Sequence, residues 1–253
     1  MNYFAHRGLF DNEQDYPENT LAAFSRAIEA GYGIELDVRL TKDDKLVVAH
    51  DTGLQRICGK NIAIRKITYA ELSQYHVLNS TQTIPLFSEV LDLIAGRVPL
   101  VVEIKAEHDP FQTSRLTDQA LRSYPGPYCI ESFDPRVLIW YRARRPRVIR
   151  GQLSDVFVDG SGTGIPALDW VLSQMLFTPL AWPDFIAYSW PYADKPAVRF
   201  WRTLLHCPLV AWDITSQQGL NKAKQNFDAY IFDSFIPAQG DPPSQFDAKI
   251  SAT

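Results

Sequence analysis

The sequence is poor in the features that mark several large classes of protein. Its three cysteines, Cys58, Cys129 and Cys207, are odd in number and widely spaced, which argues against a disulfide framework and does not match a zinc-binding pattern. No apolar run of about 18 residues is present, so no transmembrane helix is expected. Lysine and arginine number 25 against 29 acidic residues, a net charge of −4, which does not suggest a nucleic-acid partner.

The first residues, MNYFAHRG, contain neither a basic segment nor the apolar stretch of a secretion signal, and together with reduced thiols this predicts a cytoplasmic protein.

Length and composition favour one large domain. The chain has 253 residues, of which 46% are hydrophobic, and about 250 residues is the usual size of a (β/α)8 barrel. We predict a single domain over residues 1–240 and a loosely ordered C-terminal tail over residues 241–253.

Segments with strand periodicity alternate with segments of helical periodicity along the chain. A further apolar run, Leu46 to Ala49, follows the second strand too closely for a crossover helix and is interpreted as the return limb of a hairpin. The alternation predicts an α/β protein, a (β/α)8 TIM barrel with a small β-hairpin after strand two. The eight expected strands are 2–5, 32–40, 99–105, 128–132, 148–153, 185–189, 209–214 and 229–233.

Acidic side chains are concentrated at the ends of two expected strands. The two-residue period of a strand places Glu35 and Asp37 on one face, and Glu103 ends the next strand. Neighbouring buried carboxylates repel one another, and a bound cation removes the conflict. Because the ends of the strands meet at one mouth of a barrel, we predict that these three residues hold one divalent cation, Mg²⁺ or Ca²⁺.

Basic residues and histidines are expected at the same mouth. Arg7 follows strand one and Lys105 ends strand three, where positive charge beside a cation suits a phosphate group. His6 and His50 can exchange protons near neutral pH and are candidates for an acid–base pair across a phosphorus atom. Trp212, on strand seven, is either a wall of the substrate pocket or a core residue.

Structural roles compete with some of these assignments. Glu35 and Asp37 could pair with Arg39 or Arg56, and Glu103 could form an internal ion pair with Lys105. The segment PENT, from residue 17, opens a helix whose N-cap is Asn19 or Thr20, so we favour capping for Glu18 and Asn19 over the alternative that they reach the site.

Two features of the second half of the chain have no assigned role in this site. The apolar stretch from Leu168 to Trp182 is interpreted as a buried barrel helix, with contact to a lipid surface as the alternative. Four arginines, Arg142, Arg144, Arg145 and Arg147, are interpreted as a solvated helix end.

Six motifs follow one another in a fixed order: HRG from residue 6, PENT from 17, ELD from 35, HD from 50, VEIK from 102 and ESFDP from 131. In this order and spacing they resemble the glycerophosphodiester phosphodiesterase family, a set of (β/α)8-barrel enzymes. The resemblance implies that His6 and His50 are the acid–base pair, and that Arg7 and Lys105 contact the phosphate. It also implies a divalent cation on Glu35, Asp37 and Glu103.

The reaction implied by the resemblance is cleavage of a glycerophosphodiester, a small-molecule substrate, to sn-glycerol 3-phosphate and an alcohol. Two alternatives remain open. The same site could serve a phospholipase D-like enzyme acting on lysophospholipids or sphingomyelin, which a wide apolar mouth would favour. A barrel that binds phosphate esters without catalysis is the other, although the presence of both histidines and all three carboxylates argues against it.

Overall fold

A computed structural model describes residues 2–105, 109–156, 164–176, 178–237 and 246 of the chain. Its strands are β1 (Tyr3–Ala5), β2 (Gly33–Leu40), β3 (Leu46–Val48), β4 (Leu100–Ile104), β5 (Tyr128–Ser132), β6 (Arg150–Ser154), β7 (Phe185–Ser189), β8 (Leu209–Ile214) and β9 (Ala229–Phe232). Its helices are α1 (Leu21–Glu29), α2 (Gln55–Cys58), α3 (Tyr69–Leu72), α4 (Phe87–Ile94), α5 (Pro110–Leu121), α6 (Pro135–Arg144), α7 (Pro166–Ser173), α8 (Thr178–Ala181), α9 (Pro196–Arg199) and α10 (Gln217–Ala223).

The order of the hydrogen-bonded strands is β1-β9-β8-β7-β6-β5-β4-β2-β3, and β1 also pairs with β2. Eight parallel strands therefore form a closed (β/α)8 barrel, and β3 is bonded to β2 outside it. β3 runs antiparallel to β2, with Val38 opposite Val48 and Leu40 opposite Leu46. These observations confirm the predicted TIM barrel and the hairpin after strand two.

The chain divides into two compact units, Phe4–Tyr128 and Met1–Tyr3 with Cys129–Thr253. The single domain over residues 1–240 stays a prediction. The expected tail, residues 241–253, lies outside the described residues except for Phe246, whose buried ring packs edge-on against Phe185 with 4.9 Å between ring centroids. In the described ranges no helix is long and apolar enough to cross a membrane.

The unit Phe4–Tyr128 contains an apolar cluster beneath the segment that follows β2. Its buried members come from β3, α2, α3 and the connecting turns: Val47, Ala49, Leu54, Ile57, Ile64, Ile67, Leu72, Val77 and Ile84. This cluster anchors a stretch that would otherwise be an exposed loop. Predicted site residue His50 lies inside that stretch and is therefore attached to a packed support.

α3 is a single turn, which begins with a capping box formed by Thr68 and Glu71. Beyond it, His76 pairs with Thr83 in an isolated β-bridge. In the other unit, α9 is one α-helical turn, followed by a π-helical turn over Phe200–Leu204.

The interpretation of residues 168–182 as a buried helix is wrong for several large side chains. Trp170, Leu180 and Trp182 are 60%, 61% and 53% exposed. The buried positions around α7 and α8 are taken by Met175, Ala181 and smaller polar residues. Because the inner face is already filled, the remaining apolar side chains project outward.

The HRG turn after β1 depends on its glycine. Gly8 has a φ of +85°, and a Cβ atom placed there would lie 3.0 Å from the backbone carbon and Cβ of Ala23 and from Cδ1 of Phe24. The left-handed conformation and the close approach of α1 both exclude a side chain. Gly8 therefore holds the preceding His6 and Arg7 at the end of β1.

We predict that Gly8→Ala lowers the free energy of unfolding by about 1–3 kcal/mol, because it adds a clash to the cost of a positive φ. Gly59→Ala is a matched control, since Gly59 has a φ of +65° and no atom within 4 Å of the added Cβ. Urea unfolding of both variants measures the difference. Equal destabilisation would contradict the role assigned to close packing at Gly8.

Candidate active site

Three carboxylates from β2 and β4 meet in the unit Phe4–Tyr128. Strand alternation places Glu35 and Asp37 on one side of β2, and strand pairing puts Glu103 beside Asp37. One oxygen from each carboxylate lies within 4.8 Å of the other two, and all three residues are buried. The residues expected to converge do so, and their role as metal ligands stays a prediction.

Burial and mutual repulsion act on this carboxylate cluster. Burial raises the pKa of Glu35, and the charge of Asp37 adds to the effect. Burial also raises the pKa of Glu103, against the opposing charge of Lys105. Burial would raise the pKa of Asp37 too, but Lys105 and His50 hold it well below its usual range. Asp37 is thus the ionised centre of the cluster, and its two neighbours resist ionisation beside it.

The donor set fits a hard divalent cation. Its three members offer only oxygen, the ligand atom that Mg²⁺ and Ca²⁺ prefer. Asp37 Oδ1 is buried and makes no hydrogen bond within the described part of the chain, although Lys105 Nζ lies 3.0 Å away. Glu35, Asp37 and Glu103 could therefore hold such an ion.

Two fixed cations lie against the carboxylate cluster. Lys105 Nζ is 2.7 Å from Glu103 Oε2, which makes the ion pair considered from sequence, and it also contacts Asp37. The backbone N–H of Arg7 donates to Glu35 Oε2 at 3.0 Å, and its Nε lies 3.7 Å from Asp37 Oδ2. Both predicted phosphate-binding side chains are thus placed beside the predicted cation site.

The two predicted catalytic histidines lie in the same unit. His6 Nε2 is 3.9 Å from Glu35 Oε2. His50 Nδ1 is 2.8 Å from Asp51 Oδ1. Burial and the charge of Lys105 lower the pKa of His50 to about 4, whereas the pKa of Asp51 falls to about 2 because hydrogen bonds from Arg56 and His50 outweigh its burial.

The contact between His50 and Asp51 selects one tautomer of the imidazole. An ionised carboxylate can only accept, so Nδ1 of a neutral His50 must carry the hydrogen and donate it to Asp51. Nε2 then carries the lone pair and is the nitrogen that can take up a proton. Asp51 was not predicted to contact the His50 ring, and its position next to His50 in sequence was the available signal.

Arg39 fixes the backbone around His50. It lies on the same face of β2 as Glu35 and Asp37, and its Nε donates to the carbonyls of Ala49 at 3.2 Å and His50 at 2.8 Å. Its NH2 group also contacts the His50 carbonyl. The strand that carries two site carboxylates therefore also holds the segment that follows β3. The two-residue alternation of a strand could have indicated this role, because it places Arg39 on the same face as Glu35 and Asp37.

The interpretation of Glu18 and Asn19 as capping residues is wrong. Thr20 caps α1, because its hydroxyl accepts from the Ala23 amide. Asn19 has a φ of +57° and its side-chain amide donates to Asp37 Oδ2 at 2.8 Å. Glu18 accepts from Arg7 NH1 at 2.7 Å, so both side chains turn toward the site.

A chain of ion pairs connects Arg7 to His50. The guanidinium of Arg56 donates to both oxygens of Glu18, at 2.6 and 2.8 Å, and its Nε donates to Asp51 at 2.7 Å. The order of contacts is Arg7, Glu18, Arg56, Asp51, His50. Sequence could not pair Glu18 with Arg56 because 38 positions separate them.

Trp212 lies in the other unit, on β8. Its half-buried ring meets the Phe133 ring edge-on, with 5.7 Å between centroids and an interplanar angle of 90°. The indole Nε1 is buried and makes no hydrogen bond among the described residues. Its role as a wall of the substrate pocket stays a prediction.

Comparison with known proteins identifies the family of the first part of the chain. Residues 6–156 match the model of the glycerophosphoryl diester phosphodiesterase family. A curated glycerophosphodiester phosphodiesterase of Bacillus altitudinis is 39% identical over 116 residues, which cover 43% of this chain and 46% of the relative. A lysophospholipase D of Homo sapiens is 32% identical over 120 residues, covering 42% and 37%. The chain thus spans less than half the length of these two curated relatives.

A solved structure resembles the fold over the full chain. The phosphodiesterase of Oleispira antarctica, in complex with the product sn-glycerol 3-phosphate, has a TM-score of 0.76 and 21% identity, and the match covers 100% of this chain and 97% of that one. Its likeness at this identity concerns the fold.

Glu18 provides a test of the chain of ion pairs through the pH dependence of stability. Burial would raise its pKa, but Arg56 and Arg7 lower it from 4.5 to about 2. A depressed pKa stabilises the folded state above the unfolded value, and this contribution is lost as the pH falls from about 4.5 to about 2.

We expect Glu18→Gln to lose about 1–2 kcal/mol of that acid-sensitive stability, allowing for screening at the half-exposed Arg56. Denaturant unfolding at several pH values measures it. Glu29→Gln, at an exposed position of α1, should keep the acid dependence of the parent chain. An unchanged dependence in Glu18→Gln would show that the ion pairs do not hold Glu18 ionised.

Proposed function

Because the chain belongs to the glycerophosphoryl diester phosphodiesterase family, we propose that it is an enzyme that hydrolyses glycerophosphodiesters to sn-glycerol 3-phosphate and an alcohol. The observation that carries this proposal is the convergence of three buried carboxylates within 4.8 Å of one another. Lys105 and Arg7 lie against them, and His6 and His50 belong to the same unit. The sn-glycerol 3-phosphate bound to the Oleispira antarctica phosphodiesterase supports the choice of product.

We assign the binding of the phosphate group to Arg7 and Lys105. Both side chains carry a full positive charge, which their acidic neighbours stabilise: the charges of Asp37 and Glu103 overcome burial and raise the pKa of Lys105. Fixed cations stabilise the charge that accumulates on phosphate oxygens in the transition state. A cation held by Glu35, Asp37 and Glu103, Mg²⁺ or Ca²⁺, would supply further positive charge there.

The two histidines move the protons in the proposed reaction. His50, whose Nδ1–H donates to Asp51, accepts on Nε2 the proton of the attacking oxygen, which belongs either to water or to the substrate's own 2-hydroxyl group. The new oxygen–phosphorus bond forms as the bond to the alcohol breaks, and His6 gives a proton to the departing oxygen. If the 2-hydroxyl attacks, a water molecule then opens the cyclic phosphate to give sn-glycerol 3-phosphate. We assign the role of base to His50, because Asp51 orients its imidazole to accept a proton on Nε2, and the role of acid to His6.

Two expectations about context belong to the proposal. We place the catalytic residues in a single domain over residues 1–240 and assign Trp212 as a wall of the substrate pocket. We place the enzyme in the cytoplasm, in keeping with three free cysteines.

A second candidate function is release of the headgroup from lysophospholipids, in the manner of phospholipase D. The observation that favours it is the similarity to a human lysophospholipase D. Comparing turnover of glycerophosphocholine with that of lysophosphatidylcholine separates the two. Faster turnover of the lipid would replace the glycerophosphodiester as the preferred substrate.

Hydrolysis of glycerophosphocholine, followed by release of sn-glycerol 3-phosphate, tests the activity. His6→Ala and His50→Ala should each lower kcat by about 10²–10⁴-fold because each removes a proton-transfer group. His76→Ala is the control, since His76 is exposed and should leave kcat unchanged. Wild-type rates in either site variant would exclude that histidine as a catalyst, and an inactive wild-type chain would exclude the proposed substrate.

The metal site has a test that does not depend on turnover. Without a divalent cation, and at a pH above the raised pKa of Glu35, which is about 8, Glu35→Gln should raise Tm because it removes one of three repelling buried carboxylates. With Mg²⁺ or Ca²⁺, the same variant should bind the ion at least about tenfold more weakly by calorimetry. Exposed Glu29→Gln should change neither quantity. Equal ion affinity in the wild-type chain and Glu35→Gln would refute the proposed ligand set.

A further inference from the structure

The unit Cys129–Thr253 carries an exposed apolar surface, which we call the apolar patch. Its members are 47–66% exposed although all are large and hydrophobic. Isolated exposed side chains of this type are common, but a group of them marks an interaction surface. The patch consists of Trp170, Leu176, Leu180, Trp182, Phe200 and Leu204.

The apolar patch comes from two segments that touch each other. The first contains α7 and α8, and the second contains the π-helical turn Phe200–Leu204. The ring of Trp182 lies 6.4 Å from that of Trp201, and the ring of Phe200 lies 6.3 Å from the same indole. Trp201, which is only 4% exposed, therefore packs against both segments and joins them at Trp182 and Phe200.

Core packing does not account for these side chains. In the first segment the inward positions are occupied by Ser173, Met175, Thr178 and Ala181, which are at most 5% exposed. Such a segment would ordinarily present polar residues on its other side. Here the outward side is apolar as well, which indicates that these side chains are covered and removed from water in another state of the protein.

An arginine cluster meets the apolar patch through Arg142. Arg142, Arg144, Arg145 and Arg147 lie at or just beyond the C-terminal end of α6, and Arg142 NH1 donates to the Leu180 carbonyl at 2.8 Å. This contact places Arg142 directly beside α8. The cluster is notable in a chain whose net charge is −4.

Acidic residues around the patch only partly offset this charge. Asp184, which precedes β7, accepts from the backbone N–H of Arg150 at 3.1 Å and lies 3.5 Å from its guanidinium. Asp169 is half-buried on α7. Arg144 and Arg147, which follow Arg142 closely along the chain, are exposed, and they add positive charge to this end of α6.

We propose that the apolar patch and the arginine cluster together form a surface that binds reversibly to an anionic lipid membrane. Tryptophan, leucine and phenylalanine side chains insert among lipid headgroups and acyl chains, while neighbouring arginines pair with anionic headgroups. The excess of positive charge at the end of α6, beside the patch, favours this occupant. A second copy of the chain would need a complementary negative border, and two such clusters facing each other would repel.

The proposal concerns attachment to a surface and is independent of the proposed hydrolysis. Cosedimentation of the full chain with vesicles tests it directly. We expect binding to phosphatidylcholine vesicles that contain phosphatidylglycerol, weaker binding to phosphatidylcholine alone, and a loss of binding as salt concentration rises.

Matched variants separate the two components of the surface. Leu180→Ser and the double variant Arg144→Glu, Arg147→Glu should each reduce partitioning onto anionic vesicles by about tenfold or more. Two controls make the same changes in the other unit, at exposed positions: Phe111→Ser, and the double variant Lys66→Glu, Arg115→Glu. Both controls should bind like the wild-type chain, and circular dichroism checks that each variant is folded.

Three outcomes would overturn the proposal. The first is no binding to anionic vesicles at low salt. The second is equal loss of binding in the controls and in the patch variants, which would indicate attraction without a defined surface. The third is concentration-dependent self-association that Leu180→Ser abolishes in the absence of lipid, which would make the patch an interface between copies of the chain.

Discussion

The site depends on holding three carboxylates together away from water. Glu35, Asp37 and Glu103 come within 4.8 Å of one another on two adjacent buried strands, where like charges repel strongly. Most of the surrounding polar structure compensates for this. Lys105 contacts two of the three, the Arg7 amide donates to Glu35, and the Asn19 amide donates to Asp37. The charged and polar groups nearest to the three carboxylates are therefore arranged around them.

The compensation extends beyond the carboxylates to the loops that follow β1 and β3. Arg7 binds Glu18, Glu18 binds Arg56, and Arg56 binds Asp51, which contacts His50. The guanidinium groups of Arg7 and Arg56 keep buried Glu18 ionised, while the apolar cluster beneath residues 47–84 keeps the second loop in place. Two segments far apart in sequence are thus joined by charge on one side and by packing on the other.

Each unit contains one group of residues that is costly in isolation. The carboxylate cluster of Phe4–Tyr128 is buried and charged, whereas the apolar patch of the unit Cys129–Thr253 is exposed. Both departures from the ordinary pattern have an energetic cost in isolation. A cation for the first and a lipid surface for the second would each remove that cost when bound.

The sequence by itself determined the barrel, the hairpin and the convergence of Glu35, Asp37 and Glu103, because these follow from local periodicity and from the geometry of parallel strands. It did not determine what Glu18, Asn19 and Asp51 contact. Those contacts join residues from different loops, and loop conformation depends on which distant charges and apolar groups it meets. Which side chains of residues 168–182 are exposed was likewise decided only by tertiary structure. The sequence pattern of an apolar helix is the same whether its second face meets the core or the solvent.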